Sequence, residues 1–83
     1  MYNVKLTARA RRELKNISKR HKVAIASMVE ELKDNPFAGK PLTRDLTGRY
    51  SLRVGVYRII YMVNKTDEII NIITAGHRSV VYN

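Results

Sequence analysis

The chain has 83 residues, 45% of them hydrophobic, and its 16 Lys and Arg against 7 Asp and Glu give a formal net charge of +9. A chain of this length buries only about 60–65% of its unfolded surface, so we expect one compact domain that spans residues 1–83. The lack of cysteine excludes disulfide scaffolds, thiolate zinc sites and cysteine nucleophiles. The charge predicts an anionic partner, and the lack of a signal peptide or a long apolar run predicts a cytoplasmic protein that does not bind membranes.

The first part of the chain predicts one strand and two helices. Residues 2–7 alternate apolar and polar side chains, which is typical of a half-buried strand. Thr7 is a suitable N-cap for the first helix, a break is expected near residues 18–21, and the second helix ends before Pro36. The apolar positions with helical spacing are Ala10, Leu14 and Ile17 in the first helix, and Ile25, Met28, Val29 and Leu32 in the second.

The remainder predicts a loop over residues 36–48 and then an antiparallel meander. Gly55 makes the first reversal tight, and residues 64–68 form the second. The three strands of the meander are residues 49–54, 56–64 and 68–75. We therefore expect an α+β two-layer sandwich, in which an N-terminal strand and a helical hairpin pack on a mostly antiparallel four-stranded sheet.

The middle strand of the meander is apolar on both of its faces. Alternation places one set of side chains toward one layer and a second set toward the other. The first set is Tyr57, Ile59, Tyr61 and Val63, and the second is Arg58, Ile60 and Met62. Since two helices cover only one face, the second face is expected to be a concave, partly apolar surface that carries arginine and binds a partner.

The candidate functional residues are cations and one tyrosine near one end of this sheet. Arg53 ends one strand and Arg58 opens the next, and the antiparallel order brings His77 and Arg78 toward Arg58. The forked guanidinium group suits bidentate phosphate binding, and a ring such as that of Tyr82 can stack on a base. This combination favours single-stranded nucleic acid as the ligand. We predict no metal and no cofactor, because no cluster with metal-ligand spacing occurs.

Structural explanations compete with each of these assignments. Arg58 could instead form an ion pair with Asp45 or Asp67, and His77 is equally compatible with a simple strand end. Tyr82, close to the last residue, is equally compatible with a surface side chain. Only the joint pattern favours a functional site.

Three segments carry a resemblance to the RelE/ParE superfamily of toxins from toxin–antitoxin pairs. They are A-x-R-x-L-K at residues 10–15, GKPLTRDLTGRYSLRVGVYRIIY at residues 39–61 and GHRSVVY at residues 76–82. The resemblance covers essentially the whole chain and implies the sandwich fold described above. RelE-like members are ribosome-dependent endoribonucleases that cut mRNA, and each is neutralised by a cognate antitoxin. The resemblance therefore implies that this chain binds an acidic, RelB-like antitoxin in a hetero-oligomer.

The resemblance also implies roles for individual residues. Arg58 and Arg78 match catalytic arginines, Tyr82 matches a tyrosine that stacks on the mRNA base, and the RNA-binding set is Arg53, Ser51, Arg49 and Lys40. Some RelE toxins carry two lysines where this chain has Ser51 and Arg53. Neither serine nor arginine can act as a base near neutral pH. His77, with an ordinary pKa of about 6.5, is therefore the candidate for proton transfer.

Two other functions remain open from the residues alone. The first is the ParE branch, whose members inhibit DNA gyrase. The second is a non-catalytic module that binds nucleic acid or antitoxin. The set of Arg58, Arg78 and Tyr82 favours the nuclease, while the missing lysines favour the alternatives.

Overall fold

The computed structural model describes residues 1–77. Its strands and helices are β1 (Asn3–Leu6), α1 (Ala8–Lys15), α2 (Lys19–Asp34), β2 (Lys40–Pro41), β3 (Arg49–Val54), β4 (Tyr57–Asn64) and β5 (Ile69–His77), with a short 3-10 turn at Arg44–Leu46. Within this part of the chain, no helix has the length and apolar character needed to cross a membrane.

The α+β architecture is confirmed, but the sheet has five strands and not four. Its order is β1-β5-β4-β3-β2, with β1 parallel to β5 and the other pairs antiparallel. The additional strand, β2, lies within the segment predicted to be a loop, where Lys40 pairs with Ser51 and Pro41 with Tyr50. Two residues show no alternation, and proline is tolerated only because β2 is at the sheet edge. Periodicity therefore could not reveal this strand.

The core lies between the two helices and one face of the sheet. The buried apolar side chains are Ala10, Ile17, Ile25, Leu32, Leu52, Val54, Ile59, Tyr61, Ile70, Ile72 and Ala75. The predicted apolar faces of α2 and of β4 pack in or against this core, as do Ala10 and Leu14 of α1. Ile17 is buried as expected, but it lies after the end of α1 at Lys15 and not within the helix as predicted. Ile60, on the opposite face of β4, is also buried but does not belong to this cluster.

The helix boundaries have local chemical causes. Thr7 caps α1 as predicted, because its Oγ1 accepts a hydrogen bond from the Ala10 N–H at 3.1 Å. The break between the helices is shorter than expected, and α2 already begins at Lys19. Ser18 does not cap α2, since its hydroxyl lies 2.7 Å from Nδ1 of His21.

A β-bulge interrupts the pairing of β4 with β5. Ile60 lies opposite Thr74, whereas Tyr61 lies opposite Ile72, so Ile73 is an extra residue in β5. An extra residue shifts the alternation of every side chain that follows it. The bulge therefore determines which residues near the end of β5 share a face with the arginines of β3 and β4.

Candidate functional site

A tight hairpin brings two arginines directly opposite each other. Gly55 and Val56 form a two-residue turn between β3 and β4, and Gly55 has a positive φ of 61° that other residues rarely adopt. The resulting register pairs Arg53 with Arg58. Two positive side chains therefore project from neighbouring positions on the same face of the hairpin.

The opposed arginines line a cavity of about 390 Å³ at the edge of the sheet. Its walls are Ala38, Gly39, Lys40, Ser51, Leu52, Arg53 and Arg58. Arg53 and Lys40 are exposed, whereas Arg58 is half-buried. The cavity therefore combines three cations with one hydroxyl in a volume typical of small-ligand sites.

Tyr61 anchors the loop that forms one wall of this cavity. Its hydroxyl donates a hydrogen bond to the carbonyl oxygen of Pro36 at 2.9 Å and accepts one from the Gly39 N–H at 2.9 Å. Burial raises the pKa of Tyr61, the Gly39 hydrogen bond opposes that shift, and the neighbouring Tyr50 adds to it. The phenol therefore stays protonated and able to donate.

Gly39 is required at this wall because of close approach. A Cβ at this position would lie 2.6 Å from Oη of Tyr61 and 2.9 Å from the carbonyl oxygen of Ser51. Sequence reasoning assigned Tyr61 to packing and gave Gly39 no specific role. The only sequence signal for it was a glycine immediately before the Lys40–Pro41 pair.

Arg49 lies on the same side of β3 as the cavity residues but does not line the cavity. It is half-buried, pairs with Met62, and precedes Arg53 by four strand positions, or about 13 Å. The structure therefore separates Arg49 from the other three residues of the predicted RNA-binding set, which are Lys40, Ser51 and Arg53.

The structure does not bring His77 into the cavity. Its Cα lies opposite Tyr57, and the two rings are edge-on with centroids 6.1 Å apart. The other histidine, His21, packs against the same tyrosine at 5.0 Å. Because of the bulge, the residue opposite Arg58 is Gly76. Arg78 and Tyr82 lie outside the described residues, so their assignments remain predictions.

The carboxylates proposed as alternative partners of Arg58 lie in other surroundings. The ion pairs within residues 1–77 join Arg9 to Glu13 and Lys33 to Glu30. The carboxylate of Asp67 accepts a hydrogen bond from the side-chain amide of Asn64 at 3.1 Å, and the Asp67 backbone N–H donates one to Oδ1 of Asn64 at 3.0 Å. Asp45 is exposed in the 3-10 turn.

Comparison with known proteins identifies the family to which the chain is similar. Residues 4–82 match the model of a family described as the ParE toxin of the type II toxin–antitoxin system parDE. Two proteins of Mycobacterium tuberculosis (strain ATCC 25618 / H37Rv) are similar to the chain. Toxin RelG is 35% identical over 98% of this chain and 95% of the RelG chain. Toxin RelE is 36% identical over 98% of this chain and 86% of the RelE chain.

A solved structure supports the same relationship. The toxin–antitoxin complex RelBE2 of Mycobacterium tuberculosis contains a chain that is 34% identical and superposes with a TM-score of 0.86, covering 93% of this chain and 98% of that one. The family resemblance found in the sequence is thereby confirmed.

Proposed function

The chain belongs to the RelE/ParE superfamily of toxins from type II toxin–antitoxin pairs, and from this premise we infer that it is a ribosome-dependent mRNA endoribonuclease. One observation carries the proposal. Three cations, Lys40, Arg53 and Arg58, surround a single cavity together with the hydroxyl of Ser51. This set suits a phosphate of an RNA chain better than it suits an apolar ligand.

The reaction would use the RNA's own 2′-hydroxyl as nucleophile. A bond forms between the 2′-oxygen and phosphorus, the bond from phosphorus to the 5′-oxygen breaks, and the proton of the 2′-hydroxyl is released while the leaving oxygen gains one. The products are a 2′,3′-cyclic phosphate and a 5′-hydroxyl. Arg58, which is half-buried and held in a strand, would stabilise the charge that develops on the non-bridging oxygens.

We propose His77 for proton transfer, although its position requires the side chain to move first. His77 follows Gly76, the direct neighbour of Arg58, but its Cα pairs with Tyr57. For His77 to reach the reacting phosphate, its ring must leave the edge of Tyr57 on RNA binding. Without that movement, the rate depends on charge stabilisation by Arg58 and on alignment of the substrate.

The antitoxin would dock on a second feature, an apolar cleft of about 380 Å³ between the helical hairpin and the sheet. Its lining is Val4, Leu6, Leu14, Lys22, Ile25, Ala26, Val29 and Ile72. An acidic amphipathic segment fits this cleft, with its apolar face inside and its acids beside the cations of the helices. The similar chain in the solved complex is itself bound to an antitoxin. Replacement of the exposed Ala26 by Glu should weaken neutralisation and leave toxicity intact.

A gyrase-inhibiting toxin is the second candidate, because the matching family is described as ParE. The deciding experiment combines programmed ribosomes with the purified protein, maps mRNA by primer extension, and assays gyrase supercoiling in parallel. We expect codon-phased cuts that Arg58→Ala abolishes and that Lys19→Gln, an exposed α2 cation, leaves unchanged. Inhibited supercoiling without mRNA cuts would show that the protein is a gyrase inhibitor and not a nuclease. If neither effect occurs, the protein is a non-catalytic binding module.

A further inference from the structure

Side chains of α1 and of its N-cap residue form hydrogen bonds with β5 at the bulge. The hydroxyl of Thr7 donates a hydrogen bond to the carbonyl oxygen of Ile73 at 2.7 Å. One carboxylate oxygen of Glu13, Oε1, accepts hydrogen bonds from the Ala75 N–H at 3.1 Å and from the Thr74 hydroxyl at 2.6 Å. The N-cap of α1 therefore binds the extra residue, and Glu13 of α1 binds the two residues that follow it.

These contacts are unlike ordinary surface interactions. Thr74 is 5% exposed and Ala75 is 1% exposed, so an unbound N–H or hydroxyl at either position would be isolated from water. The second oxygen of Glu13 faces solvent and forms a 3.4 Å ion pair with the exposed Arg9. One carboxylate oxygen of Glu13 thus binds buried groups of β5, and the other forms the ion pair with Arg9.

The register of β5 beyond the bulge determines which residue lies opposite Arg58, one of the cavity residues. With the bulge, Gly76 lies opposite Arg58. If β5 lost the extra residue, the pairing of Tyr61 with Ile72 would continue without a shift, and Ala75 would lie opposite Arg58. The side chains of Thr74, Ala75 and His77 would then turn to the other face of the sheet.

We propose that Glu13 is a positioning residue for the Arg58 site, which it serves by stabilising the bulge through the Ala75 N–H and the Thr74 hydroxyl. The proposal rests on the proposed nuclease function for its effect on rate, but its effect on β5 is independent of that function. Glu13 does not contact the cavity itself, because it lies on α1 beside the bulge. Its influence passes through the backbone of β5.

The test compares three variants by amide hydrogen exchange and by cleavage of mRNA on ribosomes. Glu13→Ala removes the acceptor, Glu13→Gln keeps a carbonyl oxygen in its place, and Arg9→Ala removes only the exposed ion pair. We expect Glu13→Ala to speed exchange of the Ala75 amide at least about tenfold. It should also lower kcat by about ten- to a hundredfold, since a misplacement of roughly 1 Å can have an effect of that size.

The other variants separate positioning from charge and from stability. Glu13→Gln and Arg9→Ala should retain wild-type exchange at Ala75 and wild-type kcat. If Glu13→Ala does not fold, Thr74→Val removes one of the two donors with little change of shape and should move both readouts in the same direction by a smaller amount. Unchanged kcat in a folded Glu13→Ala protein, or an equal loss in Glu13→Gln, would overturn the positioning role.

Failure of the nuclease function would look different. If the wild-type protein cuts no mRNA, the proposed function is refuted, and exchange of the Ala75 amide then decides alone whether Glu13 holds the bulge. Wild-type exchange in Glu13→Ala would refute the inference whatever the protein's activity.

Discussion

Replacement of Gly39 by Ala should disrupt the cavity wall. The new Cβ would lie 2.6 Å from Oη of Tyr61, 2.9 Å from the carbonyl oxygen of Ser51 and 3.0 Å from Cε1 of Tyr61. Neither neighbour can move freely. Tyr61 is fully buried and stacked on Tyr50 at 5.5 Å, and the Ser51 carbonyl belongs to the backbone of β3.

The expected loss follows from two contributions. Overpacking of a close contact costs about 1–3 kcal/mol. Displacement of the Tyr61 hydroxyl would also leave the Gly39 N–H and the Pro36 carbonyl without their partner, which costs roughly another 1–3 kcal/mol. We therefore expect a loss of at least about 2 kcal/mol, which lowers the Tm of a domain of this size by about 8–16 °C.

Thermal and urea unfolding of a double-mutant cycle would measure this effect. Tyr61→Phe removes the hydroxyl that lies closest to the new methyl group, so part of the loss should be absent when both substitutions are combined. A coupling of more than about 0.5 kcal/mol is expected for groups in direct contact. Strict additivity of the two substitutions, or a loss below about 0.5 kcal/mol for Gly39→Ala, would refute the close-contact explanation.

Three further changes have defined outcomes. Because burial raises the pKa of Tyr61 above its unfolded value of 10.0, the folded state keeps a proton that the unfolded state releases, so the contribution of Tyr61 to stability should be constant below pH 10 and decrease above it. Urea unfolding across this range should show a steeper loss of stability in the wild type than in Tyr61→Phe. Arg53→Gln should raise the free energy of unfolding by about 0.2–1 kcal/mol at low salt, because it removes repulsion with Arg58, and it should weaken RNA binding. Salt screens repulsion between charges, so a stability gain that persists in concentrated salt would contradict this explanation. His77→Gln should lower cleavage far more than RNA affinity, and undiminished cleavage would remove His77 from the mechanism.

The features that the sequence reveals are those with a regular pattern or a turn signal. Helical spacing located the core faces of both helices, and strand alternation located the buried face of β4. Gly55 predicted the hairpin, and that hairpin alone requires Arg53 and Arg58 to meet. The opposed arginines were therefore predictable from residues that are close in the chain.

The features that could not be predicted from the sequence depend on contacts between residues that are distant in the chain. The segment Ile69–His77 is apolar on both faces for most of its length, so alternation contains no signal for the bulge at Ile73. Without the bulge, the face of His77 is assigned incorrectly. The need for glycine at position 39 likewise arises from Tyr61, 22 residues away in the sequence.

The opposed arginines predict that RNA and an acidic antitoxin segment, the two ligands proposed above, compete for the cavity. The register of the tight hairpin keeps the Cα atoms of Arg53 and Arg58 opposite each other, so both guanidinium groups can reach one ligand in the cavity. An anion that binds there is attracted by both cations, whether it is a phosphate or a carboxylate. The same pair therefore strengthens both ligands, and Arg53→Gln should weaken both. An antitoxin that neutralised the Arg53→Gln protein with wild-type affinity would have to act without reaching the cavity, through the apolar cleft between the helices and the sheet.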